Sequence, residues 1–382
     1  MRIAADKIHN GKKFLPPYSV IRVNETGCIE AVELHDQATE VDVYYEGIIC
    51  PGFINAHCHL ELSHLRQVVP KHTGLVTFLS SVSLQRSHST LAERQLAMQA
   101  AHDFLIAKGT VAIGDISNND DSLSLKQHSP IAIHTFIECL GFAAPFAEAR
   151  FNYSLTVEEA FKNNNLSCSI TPHAPYSFSE KLLALIDGHQ QGATLSIHNQ
   201  ECLAENELYM RKEGDMLRLY ETLQTNTDHF QASGKSSLAT YAPWIDPTHP
   251  LLLVHNTFTN KEDIELIKAR FNKAFWCVCP NANQYIENSL PPINLLQAMD
   301  VPICIGTDSL ASNDQLDICS ELNVLLENFT LALEDVLQWA TWNGANALSM
   351  QDHLGCIEEQ YTPGLLLLKE KGRQIEFIKR II

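Results

Sequence analysis

Between about residue 50 and residue 345, short apolar runs alternate with longer stretches whose apolar positions recur at helical spacing. The first run, Gly47 to Ile54, leads straight into His57. It is followed by Thr110 to Ile116, Ile131 to Glu138, Leu166 to His173, Ala193 to His198, Leu251 to His255, Phe275 to Cys279 and Val301 to Asp308, eight in all. Runs of this length bounded by turn residues read as buried strands. Capping patterns mark two helix starts between them, Thr90-Leu91-Ala92-Glu93 and Thr156-Val157-Glu158-Glu159, and Gly109 stands where the first helix should stop. Eight strands alternating with helices predict an α/β fold, a parallel (β/α)₈ TIM barrel over residues 51–354. The flanks lack a helical period. Ser19 to Val23, Cys28 to Leu34, Gly364 to Leu368 and Ile375 to Ile381 predict strands from both termini that build one small β-sandwich from residues 1–50 and 355–382.

Composition narrows the class. With 45% hydrophobic and 19% charged residues over 382 positions, the chain describes a compact protein with a large core. A formal charge of -18 argues against nucleic acid or an anionic membrane as partner. The first residues lack the apolar segment of a signal peptide, and no stretch approaches the roughly 20 apolar residues that span a bilayer, so a cytoplasmic location is expected. Most of the 11 cysteines fall in apolar strand-like runs and read as reduced, and Cys277-Val278-Cys279 reads as buried thiols rather than a metal pair.

A barrel carries its chemistry at the carboxyl ends of its strands. There the chain has His57 and His59, Glu138, His173, His198, His255 and Asp308. In an extended strand His57 and His59 project to one side. Singly, each histidine also fits a core imidazole bonded to backbone. Several converging without a metal would carry a desolvation cost. His57, His59, His198 and Asp308 therefore suggest a divalent metal site, zinc by ligand type, with iron or manganese also suited. A bound cation would acidify a water, and Asp308 and His255 are placed to take its proton. Glu201, three residues past His198, is the candidate general acid; the alternative is a first-turn helix glutamate.

These segments resemble the amidohydrolase superfamily, within the deaminase and chlorohydrolase branch. The resemblance rests on Pro51-Gly52-Phe53-Ile54-Asn55-Ala56-His57-Cys58-His59, Thr171-Pro172-His173-Ala174-Pro175-Tyr176, His198-Asn199-Gln200-Glu201, Leu253-Val254-His255-Asn256, Cys279-Pro280-Asn281-Ala282-Asn283 and Gly306-Thr307-Asp308-Ser309-Leu310-Ala311-Ser312-Asn313. It implies that His57, His59, His198 and Asp308 bind one metal, that Glu201 shuttles protons, that His255 assists the hydroxide and that His173 bonds the substrate's heterocycle. No lysine stands where binuclear members carry a bridging one, which favours one metal; Glu138 is then a substrate contact or a supporting group, with the binding of a second ion as the lesser alternative. The segment carrying Glu61, Leu60 to Leu65, with Thr73 to Leu79, resembles the part that contacts ribose in nucleoside-acting members, and the pattern is most similar to aminodeoxyfutalosine deaminases. The implied reaction is hydrolytic deamination of an adenine nucleoside derivative, a small-molecule substrate. A guanine or cytosine deaminase, another C–N or C–Cl hydrolase, and a non-catalytic metal-binding barrel are the alternatives. For a carboxylate on the substrate, Arg66 is the chosen cation among Arg66, Lys71, His72, Arg86 and Arg150. A homodimer is expected from the family's habit alone.

Overall fold

The computed structural model describes all residues, 1–382. Its strands are β1 (Arg2–Ile8), β2 (Val20–Val23), β3 (Ile29–Glu33), β4 (Val43–Pro51), β5 (Phe53–Cys58), β6 (Thr110–Ser117), β7 (Ala132–Cys139), β8 (Cys168–Pro172), β9 (Leu195–Asn199), β10 (Leu251–His255), β11 (Ala274–Val278), β12 (Ile303–Ile305), β13 (Leu365–Lys371) and β14 (Gln374–Arg380). Seven of the eight central runs fall on β6 to β12, and the first, Gly47 to Ile54, spans the end of β4 and the start of β5. Strands β5 to β12 form two four-stranded parallel sheets, β5-β6-β7-β8 and β9-β10-β11-β12, with helices in the connections.

The edges of the two sheets meet at both ends. On one side His198 N donates to His173 O (2.9 Å) and Thr171 Oγ1 to Ser196 O (2.5 Å). On the other, Thr307 N and Asp308 N both donate to His57 O at 3.0 and 3.1 Å, and Asn55 Nδ2 reaches Thr307 Oγ1 at 2.7 Å. Gly306 permits this second approach. A Cβ there would stand 2.9 Å from His57 Cβ and from His57 O. Inside, Ile54, Ala56, Ala112, Phe136, Leu252, Val254, Phe275, Cys277 and Cys304 pack as one apolar cluster. A larger cluster lies between strands and helices. All cysteines are free, and Cys277 and Cys279 are fully buried.

The terminal strands hydrogen-bond as one sheet, not as two separate ones. β1 to β4 join β13 and β14 edge to edge in a single six-stranded sheet of order β14-β13-β4-β1-β2-β3. A helix backs one face: Leu366, Leu368 and Ile375 share a core with Leu322 and Leu325 of the helix Ile318–Asn328, and Asn323 exchanges bonds of 2.8 and 2.9 Å with the Ile375 backbone, while Ile3, Ile21, Val23, Ile29, Ile49 and Leu365 pack in a separate cluster. Leucines on one face of a strand specify an apolar partner but not whether it is sheet or helix.

The capping box at Thr90 forms, with Glu93 N donating to Thr90 Oγ1 and Thr90 N to the Glu93 carboxylate. The one expected at Thr156 does not. Thr156 lies inside a helix that begins at Ala147, and its hydroxyl bonds Asn152 O. The helix formers Ala147, Glu148, Ala149 and Arg150 let the helix start earlier, so no free N–H remains at residue 159 for Thr156 to cap.

Candidate active site

Three imidazole nitrogens converge where the two sheets meet. His59 Nε2 lies 3.1 Å from His57 Nε2 and 3.2 Å from His198 Nε2, while Asp308 Oδ1 stands 3.4 Å from His59 Nε2 and 3.7 Å from His57 Nε2. Donors ~2.05 Å from a common tetrahedral centre are separated by about 3.3 Å. These four residues therefore have the spacing of a metal-ligand set, and all four are buried.

The hydrogen bonds around them set the lone pairs. His198 Nδ1 donates to His173 O (3.0 Å), which fixes the tautomer and leaves Nε2 unprotonated. Ser312 Oγ donates to Asp308 Oδ2 (2.5 Å), so Oδ1 is the oxygen turned to the imidazoles. Burial holds His59 and His198 well below their usual pKa, which keeps both neutral. Burial would raise the Asp308 carboxyl, but the surrounding His57, His59 and His255 outweigh it and keep the group ionised.

Strand ends alone do not aim these side chains. His255 and Asp308 have φ of 74° and 56°, the left-handed region that non-glycine residues seldom occupy. Asn256, itself at 57°, anchors the first turn by donating from Nδ2 to Leu253 O at 2.7 Å. The two bonds into His57 O hold the second. Such strain persists only where its surroundings over-determine it.

Beside the convergence lies a cavity of about 130 Å³. His59, His198 and Asp308 form its floor together with Glu201, His255 and His173. Glu201 Oε1 is 3.5 Å from His255 Nε2. Burial, helped by the charge of Asp308, pushes the Glu201 carboxyl well above its ordinary range. Burial lowers His255 to about 4, and Asn283 Nδ2 faces its Nδ1 at 3.4 Å, which favours the proton on Nε2. His173 Nδ1 is 2.7 Å from Ser177 Oγ, whose own proton goes to Ala174 O, so His173 Nε2 is an acceptor. Glu138 Oε1 is 3.9 Å from that nitrogen and has no hydrogen-bond partner. Its Oε2 accepts from Asn118 Nδ2 at 2.9 Å.

Of the expected substrate contacts, His173, Glu138 and Glu61 line the cavity and Arg66 does not. Arg66 is exposed on the far side of its turn, beside Ser63 and Phe104. The cation in place is Arg86, whose Nη2 is 3.2 Å from Glu61 Oε1. A loop and the helix Leu75–Gln85 separate these arginines, and sequence spacing does not say which one faces inward. Glu61 also accepts from Asn118 N at 2.9 Å, and burial raises its pKa to about 7 against the pull of Arg86. The helix Leu75–Gln85 supplies an apolar wall of Leu75, Phe78, Leu79 and Val82.

Phe78 lies in the Thr73 to Leu79 segment expected near the substrate, whereas Asn118 was not foreseen. Asn118 follows β6, whose apolar run ends two residues earlier, and that position was the available signal.

The amidohydrolase family model matches residues 48–379. The chain belongs to the amidohydrolase family. It is 26% identical over 348 residues to an adenosine deaminase of Helicobacter pylori, covering 88% of this chain and 84% of the relative. It is 27% identical over 315 residues to an aminodeoxyfutalosine deaminase of Nitratiruptor sp., covering 80% and 75%. In fold, the amidohydrolase chain matches Helicobacter pylori aminofutalosine deaminase solved with methylthio-coformycin, with a TM-score of 0.79, 23% identity and 100% of both chains covered.

Proposed function

We propose that this amidohydrolase is a metal-dependent hydrolytic deaminase that releases ammonia from the amino-substituted ring of an adenine nucleoside derivative. The observation that carries the reading is Glu201, a buried carboxyl 3.5 Å from His255 that lines one cavity with His59, His198 and Asp308 of the proposed ligand set. The curated relatives named above deaminate molecules of this class. The two parallel sheets are read as halves of one eight-stranded barrel, and the terminal sheet as a separate domain of residues 1–50 and 355–382.

His57, His59, His198 and Asp308 would hold one divalent cation, with zinc the best match to three nitrogens and one oxygen. Bound there, it would supply a water whose pKa falls from ~16 towards ~7. Glu201 takes one proton from the water and gives it to the ring nitrogen; the second water proton, released as the attached oxygen becomes a carbonyl, passes to the amine, which leaves as ammonia. His255 Nε2–H orients the attacking oxygen. His173 Nε2 and Glu138 Oε1 are two acceptors facing one gap, which suits an N–H or O–H donor of the substrate. The wall of Leu75, Phe78 and Leu79 excludes water from the face of the base.

Ammonia release by metal-loaded enzyme, assayed across aminodeoxyfutalosine, adenosine, S-adenosylhomocysteine, guanine and cytosine, tests the reading. Turnover of one or more adenine nucleosides is expected. Activity confined to guanine or cytosine would refute it.

A further inference from the structure

The helix Leu91–Ala107 presents Ala97, Ala101 and Phe104 toward the turn Leu60–Leu65 and toward the segment after Asp308. Positions spaced 4 and then 3 apart on one face ordinarily carry large side chains that fill such a seam. Here two of them are alanines, and a cavity of about 270 Å³ remains, closed on the other side by Leu310 and Leu316. It shares no lining residue with the catalytic cavity.

Two polar groups mark this space as more than a packing gap. Ser63 lines it, is 4% exposed, and its Oγ is buried with no hydrogen-bond partner. A hydroxyl in that state costs free energy unless something bonds it. Arg66 stands at the rim. Its guanidinium makes no ion pair or hydrogen bond, whereas Arg86, Arg94 and Arg218 are each paired with a carboxylate.

We propose that this cavity is a second binding site, distinct from the catalytic one, for a small monocarboxylate with an apolar body. The body would lie against Ala97, Ala101, Phe104 and Leu316, and the carboxylate would take the Arg66 fork, with the Ser63 hydroxyl reaching it by a turn about χ1. One planar guanidinium matches one carboxylate in charge and geometry; a phosphate dianion would leave charge and acceptor sites unmet. The volume, just under the roughly 300 Å³ at which small-molecule pockets begin, limits the ligand to about the size of a phenylalkanoic acid. An occupant would touch the turn that follows His59 and the segment that follows Asp308, so the site backs onto both sources of the metal-ligand set.

The test uses full-length protein titrated calorimetrically with 3-phenylpropionate and its neutral isostere 3-phenylpropionamide. One molecule of acid should bind per chain, and the amide at least about tenfold more weakly. Arg66→Gln should weaken the acid about tenfold and leave the amide unchanged; Ala97→Leu, which fills the cavity, should weaken both while deaminase activity without ligand is retained. Hydrogen exchange should slow at residues 60–66 and 309–316 on binding. Equal binding of acid and amide, no heat at millimolar acid with folded wild type, or protection confined to residues 75–86 and 138–140 would each overturn the proposal.

Discussion

Lys126 Nζ lies 2.6 Å from Asp115 Oδ2, with both side chains fully buried. The other oxygen of Asp115 accepts from Leu60 N at 2.8 Å and from Cys58 Sγ at 3.6 Å, so the residues on either side of His59 are tied to one carboxylate. Lys126 is itself fixed by Ser117 Oγ (2.9 Å) and Thr135 Oγ1 (3.0 Å). Breaking one half of a buried pair leaves an uncompensated charge. Lys126→Met should therefore cost about 3–5 kcal/mol in urea unfolding, and adding Asp115→Asn should restore much of that loss. Asp115→Asn alone should lower metal affinity about tenfold to 100-fold in a chelator competition, since second-layer groups hold ligand orientation. Unchanged affinity would show that Leu60 and Cys58 are held by other means.

Metal removal gives a second test. Dialysis against a strong chelator should abolish turnover, and restoring zinc, iron or manganese should identify the productive ion. Because the cation binds only the folded chain, removal should also lower the unfolding midpoint by an amount set by ligand concentration over Kd. His198→Ala should abolish stoichiometric binding. Retention of one tightly held ion in that variant would refute the proposed ligand set.

Much of this site was legible because barrel chemistry gathers at the ends of apolar runs: His198, His255 and Asp308 each end one, and His57 follows another. The periodicity of β5 to β12 gave the parallel sheets for the same reason. Less legible was anything that depends on which way a turn leads. The left-handed backbone at His255 and Asp308 leaves no mark, since neither is glycine, and which of Arg66 and Arg86 turns to the cavity is hidden on the same ground. The terminal strands were visible, yet their edge-to-edge pairing onto a helix-backed sheet was not. Asp115 and Lys126 passed unnoticed because a charged residue at a strand end or on a short helix reads as solvated until its burial is known.

Arg86 and Arg66 should separate cleanly in kinetics. Arg86 lies at the cavity with its guanidinium on Glu61, whereas Arg66 faces away. Arg86→Met should raise KM about tenfold or more for a nucleoside with an anionic distal group, and less for adenosine, with metal content unchanged. Arg66→Met should leave both KM values as they are. The reverse pattern would restore the expectation formed from the sequence.

Acid stability should depend on a residue far from the metal site. His9 is fully buried, with Nδ1 accepting from Gly11 N at 3.2 Å and Nε2 without a partner. Burial lowers its pKa to about 4, with the nearby Glu334 pulling the other way. Above pH ~6.5 the residue is neutral in both folded and unfolded chains and contributes no pH dependence. As pH falls below that value the unfolded chain takes up a proton that the folded chain refuses until about pH 4, so stability declines across this window. The loss attributable to His9 should be about 3 kcal/mol. His9→Gln keeps an acceptor for Gly11 N but cannot titrate. Urea unfolding at a series of pH values should therefore show a flatter acid limb for the variant, with the two curves parallel above pH ~7. Superimposable slopes between pH 4 and 6.5 would mean that this imidazole is protonated as readily in the folded chain as in the unfolded one.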